Sequence, residues 1–190
     1  MSTEGDITGG ITAGQTIGPF FAFGLPFTGG GDLVAPWSPG AVLLSGSVTD
    51  GAGAPVPDAL VEIWQPSADG APSTATGSLR RDGVTFTGFG RAATDPEGRF
   101  RFWTVEPGRI EASESAPFIA VALFARGLLD ALHTRIYLPD DAGALESDPL
   151  LASLSAAERE TLVARRDADG HLVHDIRLQG EQETVFLVYR

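Results

Sequence analysis

Short runs of apolar residues, separated by turn residues, recur along the whole chain. Four such runs cover residues 41–50, 58–65, 116–124 and 131–138, and the last two read HLVHDIRL and TVFLVY. Apolar or alternating runs of this length, bounded by Gly, Pro and Asp, are typical of β-strands. The pattern therefore predicts an all-β fold, an antiparallel β-sandwich with irregular loops.

The stretch 88–108 shows the clearest alternation of apolar and polar positions. A DPEG turn separates an arm that ends at Thr94 from a second run of residues, 99–105. Because successive side chains of a strand point to opposite faces, the second run divides into two sets, Phe100 with Phe102 against Arg99, Arg101 and Trp103. The turn and the alternation predict a β-hairpin.

Helical periodicity is scarce, and one segment carries a helix signal. Ser155 and Glu158 have the spacing of a capping box, which satisfies free backbone N–H groups at a helix start. Arg165 and Arg166 would lie at the end where the helix dipole favours cations. We expect one short helix near residues 155–166.

Composition narrows the class of protein. With 190 residues and 43% hydrophobic content, the chain is expected to form a single domain over residues 13–190, after a disordered lead at 1–12. A net charge of -12 argues against nucleic acid and membrane as partners. The chain has no cysteine, and its N-terminus lacks an apolar signal core, so a cytoplasmic location is expected.

The residues alone do not predict a complete active site. Of the three histidines, His171 and His174 should face opposite sides of a strand, and His133 lies roughly 13 Å from Tyr137 along another. Neither pair suits one metal ion, and no G-x-S-x-G motif indicates a nucleophile. A non-catalytic, transthyretin-like binding module remains one interpretation of such a sandwich.

Several motifs carry a resemblance to a known family. Those from the first half of the chain are QTIGPFF, VEIWQ and GFGRAATDPEGRF, and those from the second half are TVEPG, LFARG, LHTRIYL and HDIRLQGEQETVF. In this order they resemble the alpha subunits of the protocatechuate 3,4-dioxygenases, which belong to the intradiol ring-cleavage dioxygenase family. The resemblance implies an enzyme built from alpha and beta chains, in which this chain alone is inactive.

The resemblance also implies where the cofactor is bound. In this family the beta subunit holds Fe(III) with two tyrosines and two histidines, and the histidine pair corresponds here to Phe118 and Ala120. Neither residue can bind a metal, so the chain is expected to hold no metal and no catalytic residue. The partner would supply the iron.

The remaining implication concerns the substrate pocket. By resemblance, Thr16, Gly18, Pro19 and Arg126 line the pocket of the beta subunit's iron, where protocatechuate (3,4-dihydroxybenzoate) and O2 give 3-carboxy-cis,cis-muconate. A Gly allows close backbone approach to a ligand, and Arg126 would attract its carboxylate. The apolar segment QTIGPFFAF is expected to pack against the beta subunit.

Three other interpretations of these residues stay open. Thr16, Gly18 and Pro19 could form a simple turn at the start of a strand. Arg126 could form a structural ion pair with Asp130. A self-sufficient dioxygenase would instead need Tyr137, Tyr189 and two of the three histidines as ligands.

Overall fold

A computed structural model describes residues 16–18, 20–75, 81–111 and 113–188, so the lead expected at 1–12 lies outside the described residues. Two β-sheets pack face to face, and the helices are short. The elements in chain order are α1 Phe21–Gly24, β1 Ala41–Thr49, β2 Leu60–Trp64, β3 Phe89–Ala93, β4 Arg99–Val105, β5 Phe118–Phe124, β6 Leu132–Tyr137, α2 Ala142–Ser147, α3 Pro149–Ala152, α4 Ala156–Glu160, β7 Arg165–Arg166, β8 Leu172–Val173 and β9 Ile176–Arg177.

The predicted all-β sandwich is confirmed. The first sheet has the order β4-β1-β8-β7, with β9 also paired to β1, and the second has the order β3-β2-β5-β6. Every pair in the second sheet is antiparallel. The first sheet is mixed, because β1 runs parallel to both β8 and β9.

The core lies between the two sheets and is built by strand alternation. In β4 the buried side chains are Phe100, Phe102 and Thr104, and the two phenylalanines share one face as the sequence pattern predicted. In β5, alternate residues are buried and the intervening ones are only half-buried. The wholly apolar run 116–124 is therefore a strand with one core face and one outer face, rather than a strand enclosed on both sides.

A buried amide joins the two sheets. Gln65, at the end of β2, donates from Nε2 to the Val105 carbonyl of the first sheet at 2.7 Å. Its Oε1 accepts a hydrogen bond from Thr104 Oγ1 at 2.8 Å. Since a buried amide without partners is costly, these bonds fix the distance between the sheets as well as satisfying Gln65.

The predicted hairpin at 88–108 is wrong. The DPEG turn exists, and Gly98 N donates to the Asp95 carbonyl at 2.8 Å. However, β3 pairs with β2 in the second sheet, whereas β4 pairs with β1 in the first. The turn thus connects the two layers, because each arm pairs with an antiparallel strand of a different sheet.

The helix prediction at 155–166 is correct at its start and wrong at its end. Ser155 and Glu158 form both bonds of the capping box, but α4 stops at Glu160. The segment after it pairs with β6 instead, since Tyr137 N donates to the Leu162 carbonyl at 2.8 Å. Arg165 and Arg166 form β7, and three further short helices precede α4.

The last predicted strand, TVFLVY, is also wrong for the described residues. Leu187 N donates to the His133 carbonyl at 2.7 Å, which makes an isolated bridge rather than a strand. Among the described helices, none is long and apolar enough to cross a membrane.

Candidate functional site

Strand β5 ends in a tight turn that carries Arg126 at its corner. Leu128 N donates to the Ala125 carbonyl at 3.2 Å, which closes the turn. Gly127 has φ +92°, with open space where a Cβ would be, so backbone conformation rather than crowding requires glycine. A positive φ at the third position is the mark of a type II turn. The turn brings the Arg126 side chain, 59% exposed, to the surface directly after an apolar strand.

The N-terminal segment lies against this turn. Ile17 N donates to the Leu128 carbonyl at 2.7 Å, and Gly127 N donates to the Ile17 carbonyl at 3.2 Å. Thr16 and Gly18 flank Ile17, so the two bonds hold them beside Arg126. Three of the four residues expected in the pocket are thus brought together, and the fourth, Pro19, lies outside the described residues.

Helix α1 continues from this segment and leaves aromatic rings at the surface. Phe21 stacks on Phe124 at 5.6 Å between ring centroids and 17° between planes. Phe20 and Phe23 are 79% and 77% exposed, and Leu129, after the turn, is 64% exposed. We call Phe20, Phe23 and Leu129 the apolar patch. Phe20 and Phe23 lie about one helical turn apart, and clustered exposed apolar side chains are typical of contact surfaces.

Arg126 forms an ion pair, but not with the carboxylate considered from the sequence. Its Nη2 contacts Oδ2 of Asp58, in the turn before β2, whereas Asp130 is exposed to solvent. The Asp58 side chain is only 14% exposed. The alternative of an Arg126–Asp130 pair is therefore wrong, because the turn directs the guanidinium toward the neighbouring strand.

The two positions that correspond to a histidine pair lie on the outer face of β5. Phe118 and Ala120 are half-buried there and carry no metal-binding atom. The guanidinium carbon of Arg135, on β6, lies 4.0 Å from the centroid of the Phe118 ring. In the part of the chain that the structure describes, no group of three or more His, Cys, Asp or Glu side chains could hold a metal ion.

Tyr137 lies beside these positions and is fully buried. Its hydroxyl donates to Asp148 Oδ1 at 3.2 Å and accepts from Arg135 Nη1 at 3.1 Å. Burial raises the pKa of Tyr137 to about 12, against a smaller opposing effect of Arg135. The phenol therefore stays protonated at neutral pH, which is unfavourable for a phenolate ligand.

Two of the histidines considered for a self-sufficient metal site lie beside β8 of the first sheet, whereas Tyr137 is on β6 of the second. His171 accepts from Leu43 N at 3.3 Å, whereas His174 is buried. Tyr137 belongs to the second sheet, and Tyr189 lies outside the described residues.

The predicted pocket residues lie outside the two large grooves described next. One groove of the described chain, of about 1030 Å³, is lined by α4 and the region 173–186. A second, of about 790 Å³, is lined by the loop before β1 and by β4. Neither includes Thr16, Gly18 or Arg126.

Sequence reasoning missed Asp58 and Arg135. Asp58 stands in the turn stretch PVPDA, and Asp is one of the few residues that tolerate a positive φ in such turns. That signal could have located the turn, but not the ion pair across strands. The position of Arg135 could have been predicted from strand alternation, because it shares the outer face of β6 with Tyr137.

Comparison with known proteins agrees with this geometry. Residues 36–180 match a family model described as Dioxygenase. The chain is 44% identical to the protocatechuate 3,4-dioxygenase alpha chain of Burkholderia cepacia, over 92% of this chain and 95% of that one. It is 39% identical to the alpha chain of Pseudomonas putida, over 92% and 94% of the two chains.

More distant relatives have the same architecture. The beta chain of Burkholderia cepacia is 32% identical over 75% of this chain and 66% of its own length. Among solved structures, the dioxygenase domain of a carbohydrate-binding fusion protein from Streptomyces sp. SirexAA-E superposes with a TM-score of 0.60 and 25% identity, over 79% and 87% of the chains. Catechol 1,2-dioxygenase from Pseudomonas arvilla C-1, at 22% identity and a TM-score of 0.57 over 78% and 55% of the chains, supports the fold alone. The chain belongs to the intradiol dioxygenase family.

Proposed function

We propose that this chain is the alpha subunit of a protocatechuate 3,4-dioxygenase and forms one wall of the active-site pocket of its beta subunit. The complex would cleave protocatechuate with O2 to 3-carboxy-cis,cis-muconate. The observation that carries the proposal is the pairing of Ile17 with Gly127 and Leu128, which holds Thr16 and Gly18 beside Arg126 on an open surface.

The proposal assigns the iron to the partner. The residues of this chain do not fit a ferric ion, because Phe118 and Ala120 offer no donor atom and the positive charge of Arg135 lies against Phe118. A second cation beside that guanidinium would be repelled. When bound by the beta subunit, Fe(III) would supply the Lewis acid that coordinates the catechol oxygens.

The residues of this chain would bind and orient the substrate and exclude water. Arg126 is exposed and presents nitrogen donors to an anionic ligand, which suits the benzoate carboxylate. Gly18 has open space at its Cβ position, so its backbone can lie close to a planar ring. Closure of the pocket by a second chain would strengthen these electrostatic contacts by removing water.

Oxygen uptake tests the proposal directly. We expect no protocatechuate-dependent uptake by this chain alone, and uptake with one iron per pair after co-expression with a beta subunit. The matched preparation is the beta subunit alone at the same concentration. Absence of both co-purification and activity in the mixture would contradict the proposal and favour a non-catalytic binding module.

The role of Arg126 has its own test in the assembled enzyme. Loss of a charge-assisted contact with the carboxylate should raise the KM for protocatechuate about tenfold in Arg126→Ala. Asp130→Asn is the matched control, since it changes a neighbouring exposed charge without touching Arg126. Steady-state kinetics identical to the unmodified complex would remove Arg126 from the pocket.

A further inference from the structure

The Arg126 guanidinium is bound at Nη2 and, among the described residues, has free hydrogen-bond donors on its other two nitrogens. Its Nη2 contacts Oδ2 of Asp58, and Nε and Nη1 have no hydrogen-bond partner within the described ranges. A guanidinium has five N–H donors, so a carboxylate bound at Nη2 leaves the donors on Nε and Nη1 for a second anion.

Asp58 is well placed to fix that orientation. It has φ +57°, an uncommon conformation for a residue with a side chain. The next residue, Ala59, is fully buried, and its N–H donates to Thr94 Oγ1 at 2.9 Å. The carboxylate thus extends from a backbone that the core holds in place, whereas Arg126 is at the corner of an exposed turn.

The carboxylate has further capacity to bind a cation. Oδ1 of Asp58 is buried and has no hydrogen-bond partner among the described residues. A buried carboxylate oxygen without a donor is costly. The contact between Arg126 Nη2 and Oδ2 is therefore the hydrogen bond that stabilises this carboxylate among the described residues. This makes the pair a specific contact rather than a chance approach of two surface charges.

We propose that Asp58 is a positioning residue for Arg126: it holds the guanidinium at Nη2 and leaves the donors on Nε and Nη1 for the substrate carboxylate. The inference rests on the proposed function, since it assumes that Arg126 faces the partner's pocket. It adds a residue from the turn before β2 to the substrate-binding machinery.

The sign of the kinetic effect separates positioning from simple charge. If Asp58 acted only as a negative charge, its removal would increase the positive potential and tighten binding of an anionic substrate. If it holds the guanidinium in a productive orientation, its removal releases a flexible side chain and weakens binding. The two roles therefore predict opposite changes in KM.

The experiment uses two variants in the assembled alpha–beta complex. Asp58→Asn keeps the size of the side chain and tolerates a positive φ, and Asp58→Gly keeps the backbone conformation without any side chain. We expect both to raise the KM for protocatechuate about fivefold, with kcat within about twofold of the parent. Asp130→Asn, the loss of a nearby exposed carboxylate, should leave both constants unchanged.

A double variant tests whether Asp58 acts through Arg126. In the Arg126→Ala background, Asp58→Asn should cause no further rise in KM, because the side chain that it orients is gone. Independent, multiplicative effects of the two changes would overturn the inference. So would an unchanged or lower KM in both single variants of Asp58.

The outcomes also separate this inference from the proposed function. A raised KM in Arg126→Ala with normal KM values in the Asp58 variants would refute positioning and leave the pocket assignment intact. A normal KM in Arg126→Ala would refute both the positioning role of Asp58 and the assignment of Arg126 to the pocket. Size-exclusion chromatography shows whether each variant still assembles with the beta subunit. If KM rises only in variants whose assembly is impaired, the rise reflects lost assembly and counts against positioning.

Discussion

At the scale of single residues, His174 is a buried base inside the first sheet. Burial lowers the pKa of His174 to about 4, with a further lowering by Arg165 and an opposing effect of Asp175. Its Nε2 has no hydrogen-bond partner among the described residues. The imidazole is therefore neutral at physiological pH and behaves as a core side chain.

This residue should make stability depend on pH. The unfolded chain binds a proton at His174 near pH 6.5 and the folded chain only near pH 4, so protons favour unfolding between these values. The stability contributed by the neutral ring is complete above pH 6.5 and falls by about 3 kcal/mol toward pH 4. Urea unfolding at pH 7.5 and pH 4.5 measures the loss.

The control is His174→Leu, which removes the titrating group and breaks no hydrogen bond of the ring at Nε2. Its loss of stability between the two pH values should be smaller than that of the parent, since only carboxylates then contribute. Equal losses in both proteins would show that His174 does not titrate on unfolding.

Some single residues of the candidate site could be predicted from the sequence and others could not. The positions Thr16, Gly18 and Arg126 came from motif resemblance, and the structure brings them together through backbone bonds of Ile17. Asp58 was not predicted, because an ion pair between residues 68 positions apart has no local signal. Such contacts depend on which strands become neighbours.

At the scale of elements, the turn after β5 determines where Arg126 and the N-terminal segment lie. Gly127→Ala forces a side chain into φ +92° and should cost about 1 kcal/mol of stability. Relaxation of the turn would also displace the bonds to Ile17 and the guanidinium. We expect a raised KM for protocatechuate in the assembled enzyme as well as a lower Tm.

Gly170→Ala is the matched control for that variant. Gly170 has φ +82°, also with open space at its Cβ position, and its turn belongs to the first sheet, where it precedes β8. The two variants should lose similar stability, but only Gly127→Ala should raise KM. A similar KM in both would mean that the turn does not position the site.

Elements also account for the errors in the predicted fold. Strand alternation correctly placed Phe100 and Phe102 on one face of β4, because that signal is local. The DPEG turn was recognised, but its two arms belong to different sheets, which depends on the partners that each arm finds. Likewise, the capping box correctly predicted the start of α4. The helix ends at Glu160 because the backbone that follows, at Leu162, pairs with Tyr137 of β6.

At the scale of the whole molecule, the apolar patch is the surface on which assembly should depend. Phe20→Ser with Phe23→Ser removes two exposed rings and should leave the fold intact, because neither ring is buried. Buried aromatic anchors dominate many interfaces, so we expect binding to the beta subunit to weaken at least about tenfold. Titration calorimetry measures this change.

Trp37→Ser is the matched control, since Trp37 is 85% exposed and lies outside the apolar patch. Deletion of residues 1–24 should abolish co-purification altogether, because it removes both rings and the segment paired with Gly127. Normal capture of the beta subunit by the double variant would locate the interface on another face.

The bridge that Gln65 makes between the sheets has a consequence for how the molecule opens. Because Gln65 is bonded to Val105 and Thr104 of the opposite layer, the sheets cannot part without exposing a buried amide. Backbone amides of β1 and of β5 should then exchange with deuterium at one common free energy, that of global unfolding. In Gln65→Leu the two layers should separate into distinct exchange units.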